Sequence, residues 1–415
     1  MKTVVLDDDP TGTQSATAAK VLLQYDSERI AAALTDAESV YLQTNSRAID
    51  EASAVELMKR IKTEVAAAAG RLGVDVQVIM RGDSTLRGHV FAEAAQLLEE
   101  QGVILFVPAF PEGGRITRDG IHLLRIDGAE VPMSETEYAR DPVFPFQNSR
   151  LIDYVAEKSG RPAVSVPLAD LRVRGRLAAK LQNAEPGSVV IPDAVTDDDI
   201  RLIADESRLA RQRGASILVR SSAPLAANLA GVASTGLLTA PLSPNARSVL
   251  VVCGSHTSGA TRQLARIRAR SGAPVVISTA AALADPVSAG SEAAIALQER
   301  MSRQFVTVLE TERDRSGDHG TLDHGERVMQ ALTTAVSAVR PDLDVVIAKG
   351  GITSAEVAHV GLGADEAIVL GQILPGVSVW RLVVDERPLI YVVVPGNVGD
   401  NDTLQHLLDA VITSL

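Results

Sequence analysis

Short β-branched runs alternate with alanine- and leucine-rich stretches of helical period along the chain, the pattern of parallel βαβ units. In the first half, apolar runs at 2–6, 39–43, 76–80, 103–107, 188–191 and 216–220 predict strands, and 51–69, 89–100 and 171–182 predict helices between them. The polar, glycine- and proline-rich segment 110–150 is expected to be one long functional loop. At 234 the alternation breaks into STGLLTAPLSPNARS, then restarts with SVLVVCGS. Further strands are predicted at 248–253, 274–278, 305–309, 344–348, 367–370, 378–383 and 389–394. The expected fold class is α/β, with two domains, 1–243 and 244–415, each a mostly parallel sheet flanked by helices. The charged stretch 312–325 reads as an exposed loop, and its His319 and His324 as solvated residues rather than metal ligands.

A length of 415 residues exceeds what one ordinary core organises, which agrees with two domains. The net charge of −12 argues against nucleic acid and anionic membrane as partners, since both bind basic patches. Small anions remain possible ligands, because they read local arginines. The single cysteine, Cys253, excludes an internal disulfide and a cysteine-clustered metal site, and its apolar run marks it as a buried strand residue. No basic leader or apolar stretch approaches the roughly 20 residues of a membrane span, so a cytoplasmic protein is expected.

In open α/β sheets ligands sit just past the strand C-termini, which singles out DDDPTGT, TNSRA, RGDSTLRG, PAFPEGGR, CGSHTSG, AKGGITS and VPGNVGD. DDDPTGT concentrates carboxylates suited to a metal, a phosphoryl group or deprotonation of a hydroxyl. RGDSTLRGH supplies Arg81, Asp83, Ser84, Thr85 and Arg87 between a strand and a helix, with fork donors for a carboxylate or phosphate. Arg115 and Arg118 in the next loop point to a locally basic pocket within an acidic protein. The second half offers glycine and hydroxyl turns in place of charge, which suits close approach of a phosphate. There is no Walker A loop, GxGxxG, GxSxG or HExxH.

Two enzyme readings compete for the first motif. Asp7-x-Asp9-x-Thr11, with Lys349 and Gly399-Asp400 later in the chain, matches a phosphatase of the haloacid dehalogenase type, with Asp7 as nucleophile. A kinase with acceptor and nucleotide on different domains accounts for the second half as well. A non-catalytic binding protein is the third class.

The motifs resemble the four-carbon acid sugar kinases over essentially the whole chain. The resemblance rests on Asp8-Asp9-Pro10-Thr11-Gly12-Thr13, Arg81–His89, Pro108–Pro111 with Gly114-Arg115, Thr117 and Gly120, and Glu135–Pro142. It continues through Gly254-Ser255, Gly350-Gly351-Ile352-Thr353 and Pro395-Gly396-Asn397. It implies an N-terminal sugar-acid domain, a C-terminal ATP domain, a cleft between them, and ATP with Mg2+ acting on threonate, erythronate or 3-oxo-tetronate. Asp8 and Asp9 would meet the substrate hydroxyls, Asp9 being the expected base. Arg81, Asp83, Ser84, Arg87 and Arg115 would hold the acid. Ser255, Thr257, Gly350, Gly351, Ile352, Thr353, Gly396 and Asn397 would line ATP, and the metal ligands stay unassigned. Arg81 stands where the family has lysine, His89 where it has asparagine, Ile352 where an acidic residue is common, and Val398 where it has an aromatic. An enzyme with a small sugar acid and ATP as partners is the expectation, with a homodimer as the candidate assembly.

Overall fold

A computed structural model describes residues 1–126, 128–234, 236–313, 322–396 and 398–412. The chain forms two compact units, Met1–Ser15 with Tyr25–Ala233, and Ala16–Gln24 with Ser234–Leu415. The change-over at 233/234 comes ahead of the boundary expected at 243, and the short segment Ala16–Gln24 belongs to the second unit. The strands among the described residues are β1 (Lys2–Asp7), β2 (Lys20–Leu22), β3 (Ser39–Gln43), β4 (Val76–Arg81), β5 (Val103–Val107), β6 (Arg115–Arg118), β7 (Ile121–Ile126), β8 (Ala129–Pro132) and β9 (Ala163–Val166). They continue as β10 (Val189–Pro192), β11 (Ile217–Ser221), β12 (Val249–Cys253), β13 (Val275–Ile277), β14 (Val306–Thr311), β15 (Val345–Lys349), β16 (Glu366–Leu374), β17 (Val377–Val384) and β18 (Arg387–Val394).

In the first unit the order is β3-β1-β4-β11-β5-β10-β9, parallel throughout. Central strands such as β1, β5 and β11 are buried along almost their whole length, as helix cover on both faces requires. The helix Glu51–Leu72 illustrates how local sequence sets the cover. Asp50 caps its start by accepting from the Ser53 amide, Gly73 ends it at φ 64°, and Leu57, Met58, Ile61, Val65 and Ala68 form its buried stripe.

The segment expected to be one loop over 110–150 instead contains an antiparallel sheet, β6-β7-β8, followed by two short 3-10 turns. Its short strands hide among glycines and prolines. The four-residue β9 and three-residue β2 escape sequence detection for the same reason: they are too short to show a period.

In the second unit β13-β14-β12-β15-β18 run parallel. The antiparallel β17 and β16 follow, and β2 pairs antiparallel with β16. Valines of β12, β15 and β18 pack with Leu264, Leu404 and Leu408 from the flanking helices. Of the loop expected over 312–325, His319 lies outside the described residues and His324 stands on the helix Leu322–Val339. Among the described residues no helix is long and apolar enough to cross a membrane.

Candidate active site

Register brings the first-unit motifs together. Asp7 at the end of β1 lies opposite Gln43 of β3 and Arg81 of β4, and Ser221 of β11 lies opposite Arg81. The loops after these strands are pinned by backbone bonds: Thr44 to Asp7 O at 2.8 Å, Asp8 to Arg81 O at 3.3 Å, and Gly82 to Ser221 O at 2.8 Å. DDDPTGT is therefore no solvated turn. Asp7, Asp8 and Asp9 are all buried, and residues Pro10–Ser15 continue as a buried 3-10 helix.

Arg81 is the hub. Its Nη1 donates to Asp7 Oδ1 at 3.0 Å, Asp8 Oδ1 at 3.1 Å, and Asp9 Oδ1 and O at 3.0 and 3.1 Å. Its Nη2 donates to Thr11 Oγ1 at 3.1 Å. Burial lowers the affinity of Arg81 for its proton, but the surrounding carboxylates more than offset that and hold it above the ordinary value. One nitrogen meets all three carboxylates, and what the arginine fork adds over a lysine point charge is the Nη2 donor to Thr11. Arg81 thus directs both of its terminal nitrogens at protein groups.

Asp9 is equally committed. It accepts from the Thr11 amide at 2.8 Å, the Thr11 hydroxyl and Arg81, and its other oxygen pairs with Arg47. In Asp8, as in Asp7 and Asp9, Oδ2 accepts no hydrogen bond, but the arginines beside it stand farther off than the one against Asp9: Arg47 Nε at 3.7 Å and Arg220 Nη2 at 3.8 Å. Asp7 is sealed under Gly12, where any Cβ would run into the Asp7 carboxyl. Burial pushes the Asp7 carboxyl up to about 7, against the pull of Arg81. A phosphatase nucleophile needs open space in front of it, and Asp7 has none. Lys349 and Asp400, which that reading also requires, belong to the other unit.

Three charged residues here were not singled out from sequence. Arg47, from TNSRA after β3, spans Asp8, Asp9 and Asp83, the last at 3.4 Å. Burial pulls Arg47 below its ordinary value in spite of Asp8 and Asp83. Arg220, inside β11, pairs with Glu93 at 2.9 Å, and burial raises the Glu93 carboxyl although Arg220 opposes it. Arg47 had a usable signal in its place just past a strand end. An arginine in the apolar run ILVRS was a second one.

Asp83, Ser84 and Arg87 lie on a strained loop, with Leu86 at φ 68° although it is buried. Burial alone would raise Asp83, but Arg87, Arg47 and the Thr85 hydroxyl outweigh it and hold the carboxyl well below its usual range. Arg87 Nε donates to Asp83 at 2.7 Å, and its guanidinium lies 5.2 Å over the Tyr138 ring. Arg115 is buried and hydrogen-bonds the same Tyr138. Side-chain exposure climbs from 0% at Asp9 through 12% at Arg47 to 23% at Arg87, so the cluster opens toward Arg87.

Two histidines brace these loops. His89 accepts or donates nothing into the cluster; its Nε2 donates to Ile49 O at 2.9 Å and its ring meets Phe144 edge-on at 4.9 Å. His122 joins β7 to the strained loop through Ser84 O at 2.8 Å, while its Nδ1 lies 3.1 Å from the Thr117 hydroxyl. A carbonyl only accepts, so Nε2 carries the proton and Nδ1 receives the hydroxyl. Burial lowers His122 to about 4, so it is neutral near pH 7.

In the second unit, register again collects the turns: Cys253 faces Lys349, and Lys349 faces Val394. The segments 254–257, 350–353 and 395–396 follow side by side. Thr257 caps the helix Ser258–Ser271, donates to Gly396 O at 3.0 Å and lies 3.3 Å from the Ser255 hydroxyl. Gly350 sits at φ 115°, which favours glycine, and leads into the short helix that carries Gly351 and Ile352, with Thr353 buried behind them. A Cβ on Gly254 would run into the Thr353 hydroxyl, and one on Gly396 would lie 2.9 Å from Ser255 Oγ, so glycine keeps these turns open. Ile352 is exposed, and Asn397 lies outside the described residues. Lys349 is fully buried and donates to Pro395 O at 2.9 Å and Val398 O at 3.3 Å.

This division of chemistry agrees with the comparisons. Residues 3–229 match the family model described as a sugar-binding N-terminal domain, and 250–404 the one described as a nucleotide-binding C-terminal domain. The D-threonate kinase of Salmonella typhimurium LT2 is 30% identical over 347 residues, covering 78% of this chain and 77% of that one. The D-erythronate kinase of Heliobacterium modesticaldum is 30% identical over 190 residues, 44% and 41% of the two chains. Two solved structures share the fold. Haemophilus influenzae protein HI1011 has a TM-score of 0.60 at 17% identity, over 98% of this chain and 99% of that one. A Salmonella typhimurium LT2 protein described as a tRNA synthase has 0.67 at 18%, over 97% of each. With both domain models in order and a kinase relative matched over most of its length, the chain belongs to the four-carbon acid sugar kinase family.

Proposed function

We propose that the protein transfers the γ-phosphoryl group of ATP to a hydroxyl of a four-carbon sugar acid of the threonate, erythronate or 3-oxo-tetronate type. The observation that carries this reading is the graded cluster of the first unit, with the Asp8 oxygen flanked only by arginines at 3.7 and 3.8 Å at its inner end and two arginines at its open end. Arg87 and Arg115, both touching Tyr138, receive the substrate carboxylate in fork geometry. Asp83 holds Arg47 and Arg87 in place, and the Ser84 turn is fixed from behind by His122.

Asp8 is the base. Its Oδ2 takes the hydroxyl proton as the new O–P bond forms and ADP departs. Asp9 and Arg81 position it, a revision of the base role expected for Asp9. Arg47, Arg81 and Arg220 surround the Asp8 carboxyl group.

In the second unit the fit to a nucleotide rests on the glycine-kept space beside Ser255, Thr257 and Thr353, with Gly350, Gly351, Ile352 and Gly396 as the surrounding turn residues. Among the described residues no three His, Cys, Asp or Glu side chains converge on a metal position. Magnesium held chiefly by ATP phosphates is compatible with that, and it would neutralise charge on the transferring group.

The test is ADP release with ATP and Mg2+ against isomers of the three acids. Asp8→Asn is expected to lower kcat by about 10²–10⁴-fold, the usual worth of a general base. Asp9→Asn is expected to raise the acid KM and lower stability. Full turnover in Asp8→Asn returns the base role to Asp9.

A further inference from the structure

The reaction as argued leaves the buried charge of Lys349 unused. It ends β15, its side chain has no exposure, and two of its three protons go to the carbonyls of Pro395 and Val398 in the turn after β18. Neutral donors could close that turn equally well. A buried ammonium is costly unless a negative charge answers it. The ionisable neighbour acting on it is the Cys253 thiol, which burial holds above its ordinary value and which is therefore neutral near pH 7. No carboxylate among the described residues offsets the lysine. The turns bearing Ser255, Gly350 and Gly396 lie at the same strand ends.

We propose that Lys349 is a positioning residue for the nucleotide's phosphate chain: it ties down the 395–398 turn, and its charge is balanced by the phosphates instead of by the protein. This inference rests on the kinase reading of the second unit. Because the ammonium lies beneath the turns, it acts through the backbone it holds and through its field.

The experiment titrates wild type, Lys349→Met and Lys349→Arg with ADP, AMP and adenosine at pH 7.5 by calorimetry. A field acting on phosphates predicts that Lys349→Met loses about tenfold or more for ADP, less for AMP and nothing for adenosine, with Lys349→Arg regaining part. Equal losses for all three, or no loss, overturn the proposal and leave a structural lysine. Should Lys349→Met fail to fold, the wild type decides between pH 7 and pH 9.5. Burial has brought Lys349 down to about 8, so ADP affinity falls above that pH while adenosine affinity stays level. The Arg313 guanidinium also faces the strand ends, against Cys253 Sγ at 3.5 Å. A level ADP profile overturns the proposal. A wild type that binds no adenine nucleotide fails the kinase reading itself, a different outcome from ADP binding that ignores residue 349.

Discussion

The two units handle polar groups in opposite ways. The first packs Asp7, Asp8, Asp9, Asp83 and Glu93 against Arg47, Arg81, Arg87 and Arg220 with almost no exposure, so its geometry depends on charges neutralising one another. The second gathers glycine turns and short hydroxyl side chains at its strand ends, with Lys349 and Arg313 beside them. The difference follows from the ligands proposed for each. A small hydroxy acid needs directed donors and a base, supplied by rigid side chains. A phosphate chain brings its own charges and needs backbone amides and room. Removing one charge should therefore damage the first unit far more than removing one glycine damages the second.

The largest expected effect is at Arg81. Arg81→Met leaves three buried carboxylates without their shared partner, and breaking such a network costs about 3–5 kcal/mol. Calorimetric unfolding should show the transition of the first unit falling sharply, with Arg81→Lys in between because it keeps charge but loses the fork. An Arg81→Met protein as stable as wild type would falsify the charge-neutralised description of this unit.

How much of this was legible in the sequence divides along the same line. The alternating α/β pattern and the glycine turns of the second unit were readable because strands, turns and their order are local properties. The three aspartates and RGDSTLRG were also found, yet the division of labour among them was not. Spacing cannot tell that Arg81 turns back onto Asp7, Asp8 and Asp9, or that Arg47 closes on the second oxygen of Asp9 while staying 3.7 Å from that of Asp8. Arg47 and Arg220 join the cluster only through strand register, a long-range fact that one sequence without an alignment does not hold. The strand pair β6-β7 was missed because its four- and six-residue strands are separated and flanked by glycine-containing turns. His122, which it carries, was missed with it.

A smaller effect is expected at Gly396. A Cβ there meets the Ser255 hydroxyl at 2.9 Å, and a serine can rotate away at little cost. Gly396→Ala should leave stability within about 1 kcal/mol of wild type, as for a substitution that moves one flexible group. The displaced hydroxyl loses its place beside Thr257, so ATP KM should rise several-fold while the sugar-acid KM stays put. A shift in the acid KM instead would move Ser255 out of the nucleotide site.

The smallest effect is a pH slope, and it reads the first unit from inside. The Asp7 carboxyl is raised to about 7 when folded, so between roughly pH 4 and pH 7 the native state holds a proton that the unfolded chain has released. Its contribution is fully present below the unfolded pKa and is lost as pH rises through 7. His122 runs the other way. Its folded pKa is lowered to about 4, so the unfolded chain binds the extra proton up to about 6.5, and stability rises with pH across that window. The two slopes oppose each other from about pH 4 to 6.5, each at most about 1.4 kcal/mol per pH unit. Asp7→Asn removes one of them. Urea midpoints at pH 4.5 and 6.5 should then show the variant gaining on wild type as pH rises, whatever stability it loses at both values from the missing Arg81 partner. A difference between the two proteins that stays constant with pH would mean that Asp7 is ionised throughout, held by Arg81 more firmly than burial opposes it.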